Sequence, residues 1–281
     1  MSKIAFINSR FVKFKDAKIH IEDRGLQFAD SVYEVVAVKN KNLIDLKFHF
    51  KRLRYSLKSL LINYIVNERK LKNIIIRLIK INSIKDGIIY LQITRGVQAR
   101  EHVYKKNLVP TVIVYARNKK FNLPLNNFKG VKAITYEDLR WKRKDIKTVN
   151  LLPNIIAANF ANKKNAYEAI LINKGKVTEG TSSNIWIIKN NKLKTHPSNY
   201  DILTGITRTR LKMIIKEFKL SLSENSFTKK DLLSADEVFL TSSGSFVTPI
   251  IKIDNKLINH GKIGNITLKL ASLYSKQFIN E

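Results

Sequence analysis

Four short stretches of the sequence carry residues that could do chemistry together. In "DIKTVNLL" Lys147 lies between apolar residues, and in "VTEGTSSN" Glu179 ends a predicted strand before a small, hydroxyl-rich turn. Gly205–Thr207 opens an amphipathic helix whose first N–H groups suit a phosphate, and Ser242–Ser245 could add N–H and hydroxyl donors after a further strand. Each feature alone is typical of a solvated lysine or an ordinary capped turn. Together, a sheltered lysine, a carboxylate and anion-binding turns indicate Schiff-base chemistry.

The sequence lacks the motifs of other common sites. It has no G-x-x-x-x-G-K-[ST] loop and no G-x-G-x-x-G after a strand, so it gives no support for a nucleotide cradle. It has no G-x-S-x-G turn of a serine hydrolase. The five histidines never fall at the close spacing of a zinc site, and the absence of cysteine excludes thiolate nucleophiles and thiolate metal ligands. We therefore expect no metal.

Length and composition indicate a globular protein. With 281 residues, of which 44% are apolar, the chain can bury one large core or two modest ones. Its apolar runs are short and interrupted by charge, as in "NIIIRLIKI", so we expect no membrane span. The start, "MSKIAFINSRFVKF", lacks the apolar segment of a signal peptide. We expect a soluble, cytoplasmic protein.

The chain is strongly basic, which invites a nucleic-acid interpretation. It has 52 Lys plus Arg against 22 Asp plus Glu, a formal net charge of +30. The basic residues are spread along the whole chain and accompany an excess of Asn and Ile, all of which have A/T-rich codons. We therefore favour genome bias over a specific nucleic-acid partner, with loose, salt-sensitive polyanion binding as a side effect. A basic nucleic-acid-binding protein stays a remote alternative.

Periodicity predicts the elements that position these residues. Residues 17–21 ("AKIHI") are predicted to form a strand, and residues 32–46 ("VYEVVAVKNKNLIDL") a hairpin that turns at Asn40–Asn42. Residues 48–62 have helical spacing, and Pro153 suits the first turn of a later helix. The apolar face predicted for the helix over 48–62 consists of Phe50, Leu53, Leu57, Leu60 and Leu61.

The order of elements predicts an α+β protein with two domains. Strands and helices alternate irregularly, which does not fit a regular βαβ repeat or a doubly wound sheet. The polar segment around "NLPLNN" is typical of a linker. We predict an N-terminal α+β domain over residues 1–118, a linker over 119–127 and a C-terminal domain over 128–281.

The stretch from Glu179 to Arg208 resembles the signature of the class IV aminotransferases, which are pyridoxal-phosphate enzymes of fold type IV. It contains E-x-small-x-x-N, then L-x-T at Leu193–Thr195, then L-x-G-I-x-R at Leu203–Arg208; Trp186 replaces the usual Phe or Tyr. Within the family, "EDRGLQFADSVYEVV", "ITRGVQAREH" and "RKDIKTVNLLPN" are most similar to D-amino-acid aminotransferases, and the resemblance covers essentially the whole chain. It implies a smaller N-terminal α/β domain, a larger C-terminal domain with a mixed, barrel-like sheet, and the cofactor at their interface.

The resemblance also implies how this chain would hold pyridoxal 5'-phosphate. Lys147 would bind the cofactor covalently and move the substrate α-proton. Glu179 would face the pyridine nitrogen and keep it protonated, which lets the ring act as an electron sink. Arg52 would supply the cation for the phosphate. The other implied contacts are ring packing by Leu203 and phosphate binding by Ile206, Thr207, Ser243 and Gly244.

A trap for the substrate carboxylate is implied by a second set of residues. Tyr33 in "SVYE" and the pair Arg100 and His102 in "AREH" would fix the orientation of the α-carboxylate. In the family this loop reaches into the site of the neighbouring subunit, so a homodimer is implied. We assign structural roles to the remaining polar residues of these blocks, namely Glu34, His49 and His196.

The implied reaction is ping-pong transamination between a D-amino acid of the D-alanine type and a 2-oxo acid, either 2-oxoglutarate or pyruvate. A branched-chain L-amino-acid aminotransferase and an aminodeoxychorismate lyase would share Lys147, Glu179 and the phosphate seats. The Arg100 and His102 pair favours the D-specific enzyme. A non-catalytic family member is disfavoured, because every chemical position holds the expected type of residue.

Overall fold

The chain folds into two compact units. The structure, a computed structural model, describes residues 3–121 and 128–279. Unit 1 comprises Met1–Phe121 together with Ile146–Asn150, and unit 2 comprises Asn122–Asp145 together with Leu151–Glu281. Each unit combines a sheet with helices, so the α+β prediction is confirmed.

The predicted domain boundaries at 118 and 128 stay a prediction. Most of the predicted linker, residues 122–127, lies outside the described residues. One difference matters for the site: residues 146–150, predicted to belong with the C-terminal half, group with unit 1. Lys147 is therefore described with the first unit.

Unit 1 is built on an antiparallel sheet in the order β2-β1-β6-β5-β3-β4. The strands are β1 (Ile4–Ile7), β2 (Arg10–Lys13), β3 (Ser31–Lys39), β4 (Asn42–Leu43), β5 (Gly87–Thr94) and β6 (Val112–Asn118). Asn40 and Lys41 both have positive φ, 49° and 69°, which is the geometry of a tight two-residue hairpin turn. The turn predicted between β3 and β4 is therefore confirmed.

Two helices, α2 (Leu46–Ser59) and α3 (Glu68–Ile81), pack against this sheet. A short helix, α1 (Arg24–Phe28), precedes β3, and Phe14–Asp16 form a 3₁₀ turn. Phe50, Leu53 and Leu57 of α2 are at most 3% exposed and pack with the inward-facing strand residues, as predicted.

Two predictions about unit 1 were wrong. Leu61 is 71% exposed, because its φ of 54° turns the chain out of the helix after Ser59 and removes it from the apolar face. Residues 17–21 form no strand, and Ile19 and Ile21 are exposed. Alternating apolar residues form a strand only where a neighbouring strand offers hydrogen-bonding partners for their backbone.

Unit 2 is built on a larger mixed sheet in the order β12-β11-β10-β14-β15-β7-β8-β9-β13, with β16 paired to β15. Its pairs β11–β12, β15–β7 and β7–β8 are parallel. The strands are β7 (Val131–Glu137), β8 (Glu168–Asn173), β9 (Lys176–Gly180), β10 (Asn184–Lys189), β11 (Lys192–Thr195), β12 (Leu222–Glu224), β13 (Phe227–Thr228), β14 (Glu237–Ser242), β15 (Phe246–Ile253) and β16 (Lys256–Leu257).

Four helices pack around this sheet in the described part of unit 2. They are α4 (Leu152–Lys163), α5 (Ile206–Glu217), α6 (Lys229–Leu233) and α7 (Asn265–Ile279), with a 3₁₀ turn at Asn259–Gly261. Pro153 lies in the first turn of α4, as predicted, where its missing N–H costs no helical hydrogen bond. Within residues 3–121 and 128–279, no helix is long and apolar enough to cross a bilayer.

The stability of unit 1 should depend on the α2 face. Leu53→Ala removes a side chain that is 0% exposed, and we expect it to lower the free energy of unfolding by about 3 kcal/mol. The matched control is Ile65→Ala, since Ile65 is 86% exposed and should change the value by less than about 0.5 kcal/mol. Urea denaturation of both variants measures this. Equal effects would mean that the α2 face does not form the core.

Candidate active site

Backbone hydrogen bonds place Lys147 beside β3. The segment 146–150 runs antiparallel to the start of β3, where Thr148 pairs with Val32. The Tyr33 N–H donates to the Lys147 carbonyl at 3.0 Å, and the Lys147 N–H donates to Ser56 Oγ at 3.2 Å. Ile146 is buried in the unit 1 core. The segment is thus fixed on both sides of the lysine.

The Lys147 ammonium lies over the ring of Tyr33. Its Nζ is 4.2 Å from the ring centroid, a cation–π distance. Tyr33 in turn stacks on Tyr90 at 5.7 Å, and Tyr90 stacks on Tyr115 at 5.0 Å. The structure therefore brings together Lys147 and Tyr33, two residues that the sequence placed 114 positions apart.

Beside Tyr33, the next residue of β3 faces the helices and carries a buried charge. Glu34, 1% exposed, binds Arg52 Nε at 2.8 Å and Nη2 at 2.7 Å, and binds His49 Nδ1 at 2.6 Å. Burial alone would raise the pKa of Glu34, but Arg52 and His49 outweigh burial and lower it to about 2. Burial lowers the pKa of His49 despite Glu34. A neutral His49 therefore donates to an ionised Glu34.

The Arg100 and His102 side chains meet at one aromatic ring. The Arg100 guanidinium carbon is 4.7 Å from the Phe28 centroid, and the His102 ring is 5.6 Å from it. Both residues lie in an exposed loop. The structure thus brings together the two residues that were predicted to bind the substrate. The sequence did not indicate that both side chains contact Phe28.

In unit 2, Glu179 lies at the end of β9 and is 3% exposed. Arg140 Nη1 donates to its Oε1, and Asn184 Nδ2 donates to its Oε2 at 3.0 Å. The Leu203 N–H donates to both oxygens, at 3.0 and 3.1 Å. Burial raises the pKa of Glu179, while Arg140 and the Leu203 amide oppose that rise by favouring the carboxylate.

A second carboxylate holds Arg140 in place. Asp138 binds Arg140 Nε at 2.9 Å and Nη2 at 2.8 Å, a bidentate pair, and also accepts from Thr178 Oγ1 at 2.7 Å. Although burial raises the pKa of Asp138, Arg140 outweighs burial and holds that pKa well below its ordinary range. Arg140 is thus a buried cation shared by Asp138 and Glu179.

Asn184 connects Glu179 to the loop before α5. Its Nδ2 donates to the Leu203 carbonyl at 2.8 Å, and its Oδ1 accepts from the Gly205 N–H at 3.1 Å. A Cβ on Gly205 would lie 2.2 Å from Asn184 Oδ1, so the close approach requires glycine. Leu203 therefore sits beside Glu179 through its backbone.

Helix α5 begins directly after Gly205 and has an uncapped N-terminus. Among residues 3–121 and 128–279 no side-chain cap is found for it, and no acidic residue lies in its first turn. The amides of Ile206 and Thr207 precede the first intrahelical hydrogen bond, which runs from the Thr209 N–H to the Gly205 carbonyl at 2.9 Å. These amides suit an anion.

The Ser242–Ser245 turn closes the β14–β15 hairpin. Ser245 donates its N–H to Ser242 Oγ at 3.1 Å, and the two hydroxyls are 2.8 Å apart. Ser243 and Gly244 form the tip of the turn and are partly exposed. The hydroxyls at either end of the turn thus stabilise it.

Arg208 and His196 hold the loop that follows β11. Arg208 is 0% exposed; its Nη2 donates to the His196 carbonyl at 2.7 Å and to Glu224 Oε2 at 2.8 Å. Its Nη1 donates to Ser198 Oγ at 2.8 Å. Burial lowers the pKa of His196, whose Nδ1 is 3.0 Å from the Pro197 carbonyl.

The donor sets in each unit fit the pyridoxal phosphate that the sequence resemblance implies. Unit 1 offers an amine, Lys147, held by its own backbone. Unit 2 offers a buried carboxylate, Glu179, with three fixed donors that favour its charged form, and the uncapped amides of α5 for a phosphate. These are the groups that a phosphorylated pyridine aldehyde requires.

Several residues of this geometry were not predicted. Asn184 was part of the quoted motif but had no role assigned, and its position as the N of E-x-small-x-x-N was the available signal. Arg140, Asp138 and Phe28 were assigned no role, because the site residues they interact with, Glu179 for the first pair and Arg100 and His102 for Phe28, are distant along the chain.

Comparisons with known proteins agree on one family. The model of the family "Amino-transferase class IV" matches residues 31–253. A D-alanine aminotransferase of Bacillus licheniformis is 40% identical over 280 residues, covering 99% of this chain and 98% of the relative. A branched-chain aminotransferase structure from Thermoproteus uzoniensis with norvaline superposes with a TM-score of 0.88 at 27% identity, covering 98% of this chain and 94% of that one. A branched-chain amino acid aminotransferase from Escherichia coli shares the fold, with a TM-score of 0.89 at 22% identity, covering 99% and 95%.

Glu34, with its partners Arg52 and His49, should make the free energy of unfolding depend on pH. Because the folded pKa, about 2, lies below the ordinary value of 4.5, Glu34 stabilises the fold above pH 4.5, and this contribution is lost as pH falls toward 2. The difference corresponds to about 3 kcal/mol. In Glu34→Gln, the loss of unfolding free energy between pH 6 and pH 3 should therefore be smaller than in the wild type. The exposed carboxylate Glu68 gives the control, Glu68→Gln, which should keep the wild-type dependence.

Proposed function

Because this chain belongs to the class IV aminotransferase family, we propose that it transfers the amino group of a D-amino acid of the D-alanine type to a 2-oxo acid, 2-oxoglutarate or pyruvate, in a ping-pong cycle. The observation that carries the proposal is the fixed position of Lys147 against Tyr33. The choice of a D-amino acid is supported by the Bacillus relative and by the meeting of Arg100 and His102 at Phe28.

We propose that Lys147 attaches pyridoxal phosphate and then acts as the base that moves the substrate α-proton. When bound, pyridoxal phosphate supplies an aldehyde that joins amino groups covalently and a ring that withdraws electrons from the α-carbon. The Lys147 backbone is bonded on both sides, so its amine can leave the cofactor and return to the same place. The Lys147 Nζ lies 4.2 Å from the centroid of the Tyr33 ring, so this ring borders the space in which the amine would move. The phenol of Tyr33 would donate to the substrate carboxylate.

Glu179 is proposed to keep the pyridine nitrogen protonated. A carboxylate does this only while it is ionised, and burial works against ionisation. Arg140 opposes burial from one side, and Asn184 and the Leu203 amide donate to the same carboxylate. Leu203 would also pack against the ring.

The phosphate would be held by amides and cations. The uncapped amides of Ile206 and Thr207 and the turn at Ser243 and Gly244 are proposed donors. Arg52 is proposed as the cation, with its guanidinium plane oriented by the bidentate contact to Glu34.

We further propose that the protein is a cytoplasmic homodimer. Unit 1 exposes large apolar side chains around α1 and in the segment that contains Arg100 and His102, and a second copy would bury them. The exposed residues are Ile21 (76%), Leu26 (67%), Val103 (81%) and Val109 (83%). Size-exclusion chromatography with light scattering tests this.

A branched-chain L-amino-acid aminotransferase is the second candidate, because the structural likeness to such enzymes is close. The absorbance of the purified, cofactor-loaded protein separates the two. We expect the spectrum to change with D-alanine and to stay constant with L-leucine. The opposite response would contradict the D-specific proposal.

Replacing Lys147 tests the chemistry directly. We expect Lys147→Ala to abolish covalent attachment of the cofactor and to reduce transamination by at least about 10⁴-fold, because attachment site and base are lost together. Lys142→Ala, which removes an exposed lysine five residues away, should keep wild-type activity. Borohydride reduction followed by mass spectrometry shows whether the cofactor is attached. Full activity of Lys147→Ala would end the proposal.

Removing the proposed carboxylate trap should affect substrate and leave the cofactor in place. For Arg100→Ala with His102→Ala we expect KM for D-alanine to rise by about 100-fold, the D-preference to fall and the bound-cofactor absorbance to persist. Lys106→Ala, in the same exposed loop, is the control for removing a positive charge. Loss of the cofactor from the double variant would mean that these residues have another role.

A further inference from the structure

Residues 98–105 form a loop that is exposed to solvent, and buried side chains form hydrogen bonds with its backbone. Gln98, 7% exposed, donates Nε2 to the Val103 carbonyl at 2.9 Å and accepts the Lys105 N–H at 2.8 Å. The side chains of Arg100 and His102 are exposed. The order of this loop therefore comes from a few buried contacts.

The strongest of these contacts comes from Arg24, at the start of α1. Its Nη1 donates to the Glu101 carbonyl at 2.6 Å and its Nη2 to the His102 carbonyl at 3.2 Å. Arg24 is 4% exposed although it is an arginine. One planar guanidinium thus fixes two consecutive carbonyls, and with them the direction in which this part of the loop runs.

Arg24 itself is anchored to the helix layer of unit 1 through a shared carboxylate. Asp30 Oδ2 accepts from Arg24 Nε at 2.9 Å and from Arg95 Nε at 2.7 Å. Arg95 also donates to the carbonyls of Leu60 and Leu61, at 2.6 and 2.9 Å, just beyond the end of α2. A continuous chain of charge-assisted hydrogen bonds connects α2 to the loop.

The Phe28 ring contacts the side chain of Arg24 and the side chains of the loop. The Arg24 guanidinium carbon is 4.7 Å from its centroid, the same distance as that of Arg100, and the His102 ring also contacts Phe28. Arg24 therefore binds the backbone of the loop. It also contacts the same aromatic ring as Arg100 and His102, the two residues of the loop that are proposed to bind the substrate.

We propose that Arg24 is a positioning residue that sets the place of Arg100 and His102 for binding the substrate carboxylate. The inference rests on the proposed function and extends it to a residue that touches neither substrate nor cofactor. Holding the loop in one conformation before substrate arrives saves the cost of ordering it on binding. The effect should therefore appear in substrate affinity.

Two variants and two measurements test this in the cofactor-loaded enzyme. Arg24→Gln can bind one carbonyl and removes the charge; we expect KM for D-alanine to rise about tenfold with kcat within about twofold of wild type. Trypsin cleavage after Arg100, identified by fragment mass, should become at least about fivefold faster because the loop opens more often. Arg24→Lys keeps the charge but has one ammonium group in place of the planar guanidinium. Its KM for D-alanine and its cleavage rate should lie between those of wild type and Arg24→Gln. Arg54→Gln, an exposed arginine of unit 1, is the control and should match wild type.

The outcomes separate this inference from the proposed function. If wild-type enzyme does not act on D-amino acids, the proposed function fails, while the cleavage rates still report whether Arg24 holds the loop. If wild type is active and Arg24→Gln changes neither KM nor cleavage, the positioning role is overturned. The positioning role would also be overturned if Arg24→Gln lost the absorbance of the cofactor, or if its kcat fell while its KM stayed unchanged. Should Arg24→Gln fail to fold, the same criteria apply to Arg24→Lys.

Discussion

A buried carboxylate needs a cation or several hydrogen-bond donors beside it, and the geometry of each proposed catalytic residue depends on that requirement. Leaving such a charge unpaired in the interior costs several kcal/mol. Glu34 meets it with the cation of Arg52 and a hydrogen bond from His49, and Glu179 meets it with Arg140. Because a guanidinium meets a carboxylate in one plane, each pair fixes the orientation of both side chains. The fold thereby determines where the charges of the site point.

The same pairing determines the charge state of the site. For Glu179, burial raises the pKa while Arg140 and the Leu203 amide lower it, so the ionised form depends on these neighbours and gains nothing from solvent. Arg140 can do this because Asp138 holds it from the other side with two hydrogen bonds. A carboxylate that faces a pyridine nitrogen in a dry site therefore needs this second layer of charges. Stability and chemistry here draw on the same contacts.

Local features of the fold were predictable, and features set by distant partners were not. The hairpin at Asn40–Lys41 and the helical start at Pro153 follow from turn chemistry within a few residues. Leu61 kept the helical period, but its own positive φ turns the backbone away from the helix, and residues 17–21 had strand-like alternation without a neighbouring strand. The resemblance supplied site residues that periodicity could not. Arg24 lies in the quoted block "EDRGLQFADSVYEVV" but received no role, because its carbonyl partners lie 77 and 78 residues away.

The excess of basic residues explains why arginines such as Arg24 and Arg140 were hard to find and suggests a better signal. With 52 cations in the chain, the type of a single Lys or Arg says little, whereas the 22 acidic residues are few enough to be informative. Asp30 binds Arg24 and Arg95, and Glu168 binds the turn after β9 through the Thr181 N–H and Ser183 Oγ. An acid flanked by apolar or small residues, as in "FADSVYE", must take a cation or several donors with it when it is buried. In a strongly basic chain, the buried acids therefore mark the positions where an arginine, as at Asp30, or a group of N–H and hydroxyl donors, as at Glu168, holds the structure in place.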